Sequence, residues 1–238
     1  MSKDIFVIIE QRDGIIQNVA YEALGEANSL ARDLGQLVIA VLLGSGFKDK
    51  PEKLIQYGAD IVFYVDHPFL KEYMAEPYAK AVTQIIKDND PEIVLFSATS
   101  IGRDLAPRIS ARIKTGLTAD CTSLCIHPET RLLQMTRPAF GGNLMAVIEC
   151  RNHRPQMATI RPGVMQPMEK DESRTGKVIQ VKVDFTESDR TVEILEIIKN
   201  KKASVDISHA KCLVSGGRGI GSAEGFKMLI DLASSLDG

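Results

Sequence analysis

Apolar residues in this chain fall into two alternating kinds of run. Residues 5–9, Ile-Phe-Val-Ile-Ile, are uninterrupted, as in a strand buried on both faces. The next stretch sets Ile16, Val19, Ala20, Ala23, Leu24, Ala27, Leu30, Ala31 and Leu34 at i, i+3, i+4, i+7 intervals. That is one face of a helix, ended by Gly35. The alternation repeats: strand 37–43, a short helix 52–57 closed by Gly58, and strand 61–65. A helix through Ala75, Ala79, Val82, Ile85 and Ile86 follows, then strand 93–97 and helix 102–113. Strands alternating with amphipathic helices predict an α/β fold, a mostly parallel sheet with helices on both faces.

From about Cys121 the pattern changes. Residues 132–135, 144–150 and 157–160 read as strands, separated by turns at 127–130, 141–143 and 152–155. No helical periodicity intervenes, which predicts a β-rich, antiparallel or mixed extension of the same sheet. Residues 162–176 are polar and irregular, and 178–185 alternate as a strand. Residues 192–198 are too few to separate strand from helix. Residues 200–210 read as a linker. It divides an N-terminal α/β domain, 1–205, from the first β-α unit of a second domain, 206–238. In that unit Cys212, Leu213 and Val214 predict a short buried strand, and residues 215–221 a turn of almost no side-chain bulk. Ser222 is a candidate helix cap, with Phe226, Leu229, Ile230 and Ala233 at helical spacing behind it. A mononucleotide-binding half needs a βαβαβ unit, so this second α/β domain is expected to be incomplete here.

Composition narrows the classes. The net charge of -2 gives no electrostatic case for nucleic acid or an anionic membrane. No apolar run reaches the ~18 residues of a membrane span. The first residues, Met-Ser-Lys-Asp, lack the features of a signal peptide. The four cysteines, Cys121, Cys125, Cys150 and Cys212, form no C-x-x-C pair and have no histidine at metal-ligand spacing. They read as reduced thiols, no metal is expected, and the compartment is taken as cytoplasmic. His67, His127, His153 and His209 are scattered and make no catalytic triad.

Three stretches carry candidate chemistry. The first is Ser215, Gly216, Gly217, Arg218, Gly219. Glycines let backbone N–H groups approach an anion, a following helix start adds partial positive charge, and Arg218 supplies a permanent cation. The spacing departs from G-x-G-x-x-G by one position, so a tight strand-to-helix turn with a surface arginine fits it equally. The second is 97–108, S-A-T-S-I-G-R-D-L-A-P-R, at the carboxyl end of a strand. It suits either a phosphate site or a helix cap at Ser100 with Arg103 and Asp104 paired locally, and the latter is favoured. The third is Arg131, Arg137, Arg151, Arg154 and Arg161, an anion site or, preferably, a subunit or inter-domain surface laced with ion pairs.

Four stretches together resemble the α subunit of electron-transfer flavoproteins: 97–120 (SATSIGRDLAPRISARIKTGLTAD), 136–143 (TRPAFGGN), 157–164 (MATIRPGV) and 214–221 (VSGGRGIG). The resemblance implies an N-terminal domain of the adenine-nucleotide hydrolase-like, Rossmann-type order, followed by a FAD domain that opens at the glycine turn. It implies a heterodimer with a β subunit, and an electron carrier rather than an enzyme with its own substrate. FAD would pass electrons between acyl-CoA or other dehydrogenases and a downstream acceptor. Arg218 matches the family arginine that contacts FAD, within Ser215, Gly216, Gly217 and Gly219. The family's other FAD contacts lie beyond residue 238, so FAD is expected for the full-length protein and weak or absent in this chain alone. Two other readings are weighed: a nucleotide-binding or adenylating enzyme using 97–108, and a fragment of a pyridine-nucleotide dehydrogenase.

Overall fold

The computed structural model describes residues 3–198, 207, 210 and 212–237. The chain divides into two compact units, Met1–Glu193 and Ile194–Gly238.

The first unit is built on a seven-stranded sheet. In chain order its strands are β1 (Ile5–Ile9), β4 (Val38–Gly44), β5 (Ile61–Asp66), β6 (Ile93–Ser97), β7 (Leu117–Cys121), β11 (Gln156–Ile160) and β12 (Lys177–Gln180). They lie in the order β12-β5-β4-β1-β6-β11-β7, and every neighbouring pair is parallel. A parallel ladder needs a crossover between strands, and helices supply it. These are α1 (Asn18–Leu34), α2 (Lys53–Gln56), α3 (Ala75–Asn89) and α4 (Ser100–Ile113).

The continuous apolar strands bury both faces. Ile5, Val7 and Ile9 of β1 join Ala20, Leu24, Ala27 and Leu30 of α1 in one core. Phe6 and Ile8 point the other way, into a core with Val82, Ile85 and Ile86 of α3 and Leu105 and Ile109 of α4. Each fully buried side chain of this size contributes about 1.5–3 kcal/mol, so the two cores outweigh any surface ion pair. Gly35 ends α1 in the left-handed conformation (φ 68°), where a Cβ is disfavoured.

The β-rich stretch corrects one expectation. Strands β8 (Ser123–Ile126), β9 (Leu133–Ala139) and β10 (Leu144–Glu149) do not extend the main sheet. They form an antiparallel sheet of their own, in the order β10-β9-β8. Leu124, Leu133 and Met135 tuck it into the core on the α1 side. The chain then returns and inserts β11 between β6 and β7. Gln156, fully buried at the start of β11, ties the two sheets: its Oε1 accepts the Leu133 N–H at 2.9 Å.

A hairpin of β2 (Gln11–Arg12) and β3 (Ile15–Ile16) follows β1. Its Asp13-Gly14 turn has both residues at positive φ, the signature of a two-residue hairpin loop. The alternating run 178–185 enters the sheet only as Lys177–Gln180. Residues 192–198 are neither strand nor helix. Most of the expected linker, 200–210, and with it the expected boundary at 205/206, lies outside the described residues.

Among its described residues the second unit forms one α-helix, α5 (Gly225–Ser235). Cys212, Leu213 and Val214 are not a strand, which corrects the expectation. A strand is stable only when a neighbour accepts its ladder bonds, and no described strand lies beside them.

Candidate functional site

In open parallel sheets ligands dock at the carboxyl ends of the strands, where the strand order reverses. Here that point lies between β1 and β6, and it is filled. Glu10 follows β1 and accepts the hydroxyl of Thr99, which follows β6. The same Thr99 Oγ1 accepts the Gly102 N–H at 3.1 Å, so Thr99 and not Ser100 caps α4. Glu10 also holds Arg12 at 2.9 Å. Gly102 brings α4 so close that a Cβ there would stand 1.8 Å from the Ser97 carbonyl oxygen. The hollow lined by Glu10, Gln11, Tyr78, Ser97 and Ile101 has a volume of about 30 Å³. That admits one or two waters. A nucleotide does not fit it, and the Glu10 carboxylate would repel a phosphate.

The expected local pair of Arg103 with Asp104 is not made. Asp104 binds Arg108 at 3.1 Å and accepts the Tyr73 hydroxyl at 2.7 Å; Tyr73 and Arg108 hold its carboxyl below the usual range. Arg103 reaches Asp120 instead, at 3.5 Å. Asp120 accepts from the Nε and Nη2 of Arg161, at 3.1 and 2.6 Å, and this pair holds its carboxyl below the usual range more than Arg103 or Arg137 does. Three of the candidate arginines are paired: Arg151 with Glu149, Arg154 with Glu92, and Arg161 with Asp120. That matches an ion-paired surface better than an open anion site. The Arg137 Nε is buried and has no partner among the described residues. Sequence reading missed the role of Asp120, because its partner Arg161 is 41 positions away and neither residue lies in a recognisable motif for the pair.

Cys121 is buried, and burial pushes its thiol up to about 12, so it is inert. Among the described residues no group of three or more His, Cys, Asp or Glu could hold a metal ion. No described helix is long and apolar enough to cross a membrane.

The glycine turn differs from the filled edge. Ser215, Gly216, Gly217, Arg218 and Gly219 are all exposed. Arg218–Ile220 form a single 3-10 turn, and Gly221 leaves it at φ 74°. The glycines divide by purpose. A Cβ at Gly216 would meet the ends of Ile220 and Leu229 at 2.0 and 2.4 Å, so this glycine lets the turn pack onto α5. Gly217 and Gly219 have nothing within 4 Å of a Cβ. Packing does not require glycine at either. Arg218 between them makes no ion pair among the described residues. Ser222 Oγ accepts the Gly225 N–H at 3.3 Å from the bend before α5, but the cap position is Glu224, which makes no side-chain cap bond, so Ser222 is not the cap expected of it.

Comparison with known protein families decides the relationship. The family model described as "Electron transfer flavoprotein domain" matches residues 5–186. The chain belongs to the electron transfer flavoprotein family. It is 52% identical over 236 residues to the electron transfer flavoprotein subunit alpha of Thermoanaerobacterium thermosaccharolyticum, covering 99% of this chain and 71% of that protein. It is 48% identical over 239 residues to protein FixB of Clostridium saccharobutylicum, covering 99% and 70%. It is 38% identical over 234 residues to the lactate dehydrogenase (NAD(+),ferredoxin) subunit LctC of Acetobacterium woodii, covering 98% and 56%. The first of these relatives is named an electron transfer flavoprotein subunit, and the last is named a subunit of a dehydrogenase. Membership in this family and the filled 97–108 edge together leave the adenylating-enzyme reading without support.

Proposed function

We propose that this chain is the α-type subunit of a cytoplasmic electron transfer flavoprotein. It pairs with a β subunit and carries electrons between acyl-CoA or other dehydrogenases and a downstream acceptor. It does so as a carrier, with no substrate of its own. FAD supplies the redox chemistry when bound. The residues that would hold it are Ser215, Gly216, Gly217, Arg218 and Gly219.

The observation that carries this reading is the open glycine turn. Gly217 and Gly219 flank an exposed Arg218 that makes no ion pair among the described residues, and none of those residues occupies the space where a side chain at either glycine would stand. A diphosphate needs close backbone approach and a cation, and this turn offers both. The Arg218 guanidinium donates to phosphate or to a developing negative charge. The glycines admit the anion to the backbone N–H groups. Among the described residues Arg218 has no carboxylate partner to give up when an anion arrives.

The turn alone encloses little, so this chain by itself is expected to bind FAD weakly. The test is the FAD content of the chain assembled with a β subunit, for wild type, Gly217→Val and Gly219→Val. A Cβ at either glycine would meet nothing within 4 Å, so thermal stability should hold while FAD content falls. Unchanged FAD content in both variants would overturn the assignment of the turn.

A further inference from the structure

The carboxyl edge of the main sheet is filled, but its amino edge holds a hollow of about 370 Å³, within the range of small-molecule sites. Lys3, Gln36, Glu92, Thr130, Arg131 and Arg154 line it. They come from separate parts of the first unit. Lys3, Glu92 and Arg154 precede β1, β6 and β11, Gln36 follows α1, and Thr130 and Arg131 lie in the turn between β8 and β9.

The charge of the hollow is one-sided. Its single lining carboxylate, Glu92, is already engaged: its Oε1 accepts from Arg154 Nε and, at 3.2 Å, from Gln156 Nε2. Arg154 Nη1 donates to the carbonyls of Cys150 and His153, at 3.1 and 2.9 Å. These bonds fix the guanidinium through Nε and Nη1 and leave Nη2 uncommitted among the described residues. Lys3 and Arg131 make no ion pair among those residues. Of the five arginines weighed as an anion site, Arg131 thus stands apart from the paired three. Two cations remain unbalanced, and the end of α1 offsets them by only about half a charge. A concave wall concentrates the field they create.

Arg131 is also held in place. Its φ of 61° is one that a non-glycine residue rarely adopts. The turn enforces it: the Arg131 N–H donates to the His127 carbonyl at 2.9 Å, and His127 Nδ1 accepts the N–H groups of Glu129 and Thr130, both at 3.2 Å. Little ordering is left to lose on binding. In the same wall Gln36 Oε1 is buried without a hydrogen-bond partner among the described residues, an acceptor that a ligand hydroxyl would satisfy.

We propose that this hollow binds a hydroxyl-bearing phosphate monoester. Its phosphate sits between Lys3, Arg131 and Arg154, and a hydroxyl donates to Gln36. A phosphate monoester carries nearly two negative charges at neutral pH and matches the two unbalanced cations; a single carboxylate matches one. Arginine forks suit phosphate oxygens.

The test titrates the full chain calorimetrically with ribose 5-phosphate, inorganic phosphate and ribose. Ionic strength is held at about 0.15 M to screen loose surface attraction. Ribose 5-phosphate should bind saturably at one site, inorganic phosphate more weakly, and ribose not at all. Arg131→Gln should weaken the sugar phosphate about tenfold to a hundredfold, and Arg131→Lys should restore part of the loss. Gln36→Leu should weaken it about twofold to tenfold and leave inorganic phosphate unchanged. Arg151→Gln, a paired arginine outside the hollow, should change nothing. Arg131 is exposed, so the thermal transition should not move with its substitution. No saturable binding by wild type, or binding indifferent to Arg131→Gln, overturns the site. Binding abolished by Arg218→Gln instead places the phosphate on the glycine turn and overturns it as well, leaving the FAD reading intact.

Discussion

Gly102→Ala tests how the sheet's carboxyl edge is closed. Gly102 lies in the first turn of α4, where that helix crosses the end of β6. An added Cβ would sit 1.8 Å from the Ser97 carbonyl oxygen and 3.0 Å from its carbon. Ordinary contact begins at 3.4 Å, so the gap is short by about 1.6 Å. The obstacle is backbone in the centre of the sheet and cannot swing aside. The helix must lift, and Leu105, Ala106 and Ile109, all at most 2% exposed, lift with it. Overpacking of this kind costs about 1–3 kcal/mol. The better helix propensity of alanine returns at most about 1 kcal/mol. Because the clash is with backbone, the net loss should be about 2 kcal/mol, or about 4–8 °C in Tm for a domain of this size. Calorimetry of wild type, Gly102→Ala and Gly35→Ala measures it. Gly35 has open space but φ 68°, so its loss should be only about 1–2 kcal/mol. A Gly102→Ala transition within about 1 °C of wild type would refute the close approach of α4 to β6.

Two further outcomes follow from buried and paired polar groups. Gln156→Leu strands the Leu133 N–H without its acceptor, and urea unfolding should show a loss of about 1–3 kcal/mol; a loss below about 0.5 kcal/mol would show that the side chain does not tie the two sheets. Asp189 is held at about 2, first by the Lys80 ammonium at 2.7 Å and next by the Thr186 N–H. Its folded value lies below the unfolded value near 3.9, so its stabilisation is present above that pH and is lost as pH falls toward about 2. Lys80→Met should raise the Asp189 midpoint in a carboxyl NMR titration and flatten the acid side of the stability curve. An unmoved midpoint would contradict the pairing.

Much of this fold is legible in the sequence because its signals are local. The run 5–9 and the helical stripe from Ile16 to Leu34 state their burial without reference to anything distant. The failures are all non-local. Residues 132–135 and 144–150 show that they are strands, but period-2 patterning does not say which sheet they join. Their placement depends on Leu124, Leu133 and Met135 meeting the α1 face. Cys212–Val214 has the composition of a buried strand and no described strand to pair with. At the carboxyl edge, helix capping at the start of α4 was readable, but Thr99 does it because Gly102 and Glu10 converge on its hydroxyl. The choice of Asp120 by Arg103 and Arg161 likewise follows from the adjacency of β7, β11 and α4. The glycine turn was readable as a motif; that Gly217 and Gly219 face open space while Gly216 packs was not.

The central claim is that electrons pass through a FAD held at the Arg218 turn of this chain. The most direct measurement is the visible spectrum of the complex formed with the β subunit, wild type against Arg218→Gln, with FAD counted per complex and its affinity titrated. Removing one charge-assisted donor costs about 1.5–3 kcal/mol, so the variant should bind one FAD about tenfold to a hundredfold more weakly and lose it on dilution. A complex that keeps every FAD at wild-type affinity without the arginine would contradict the account.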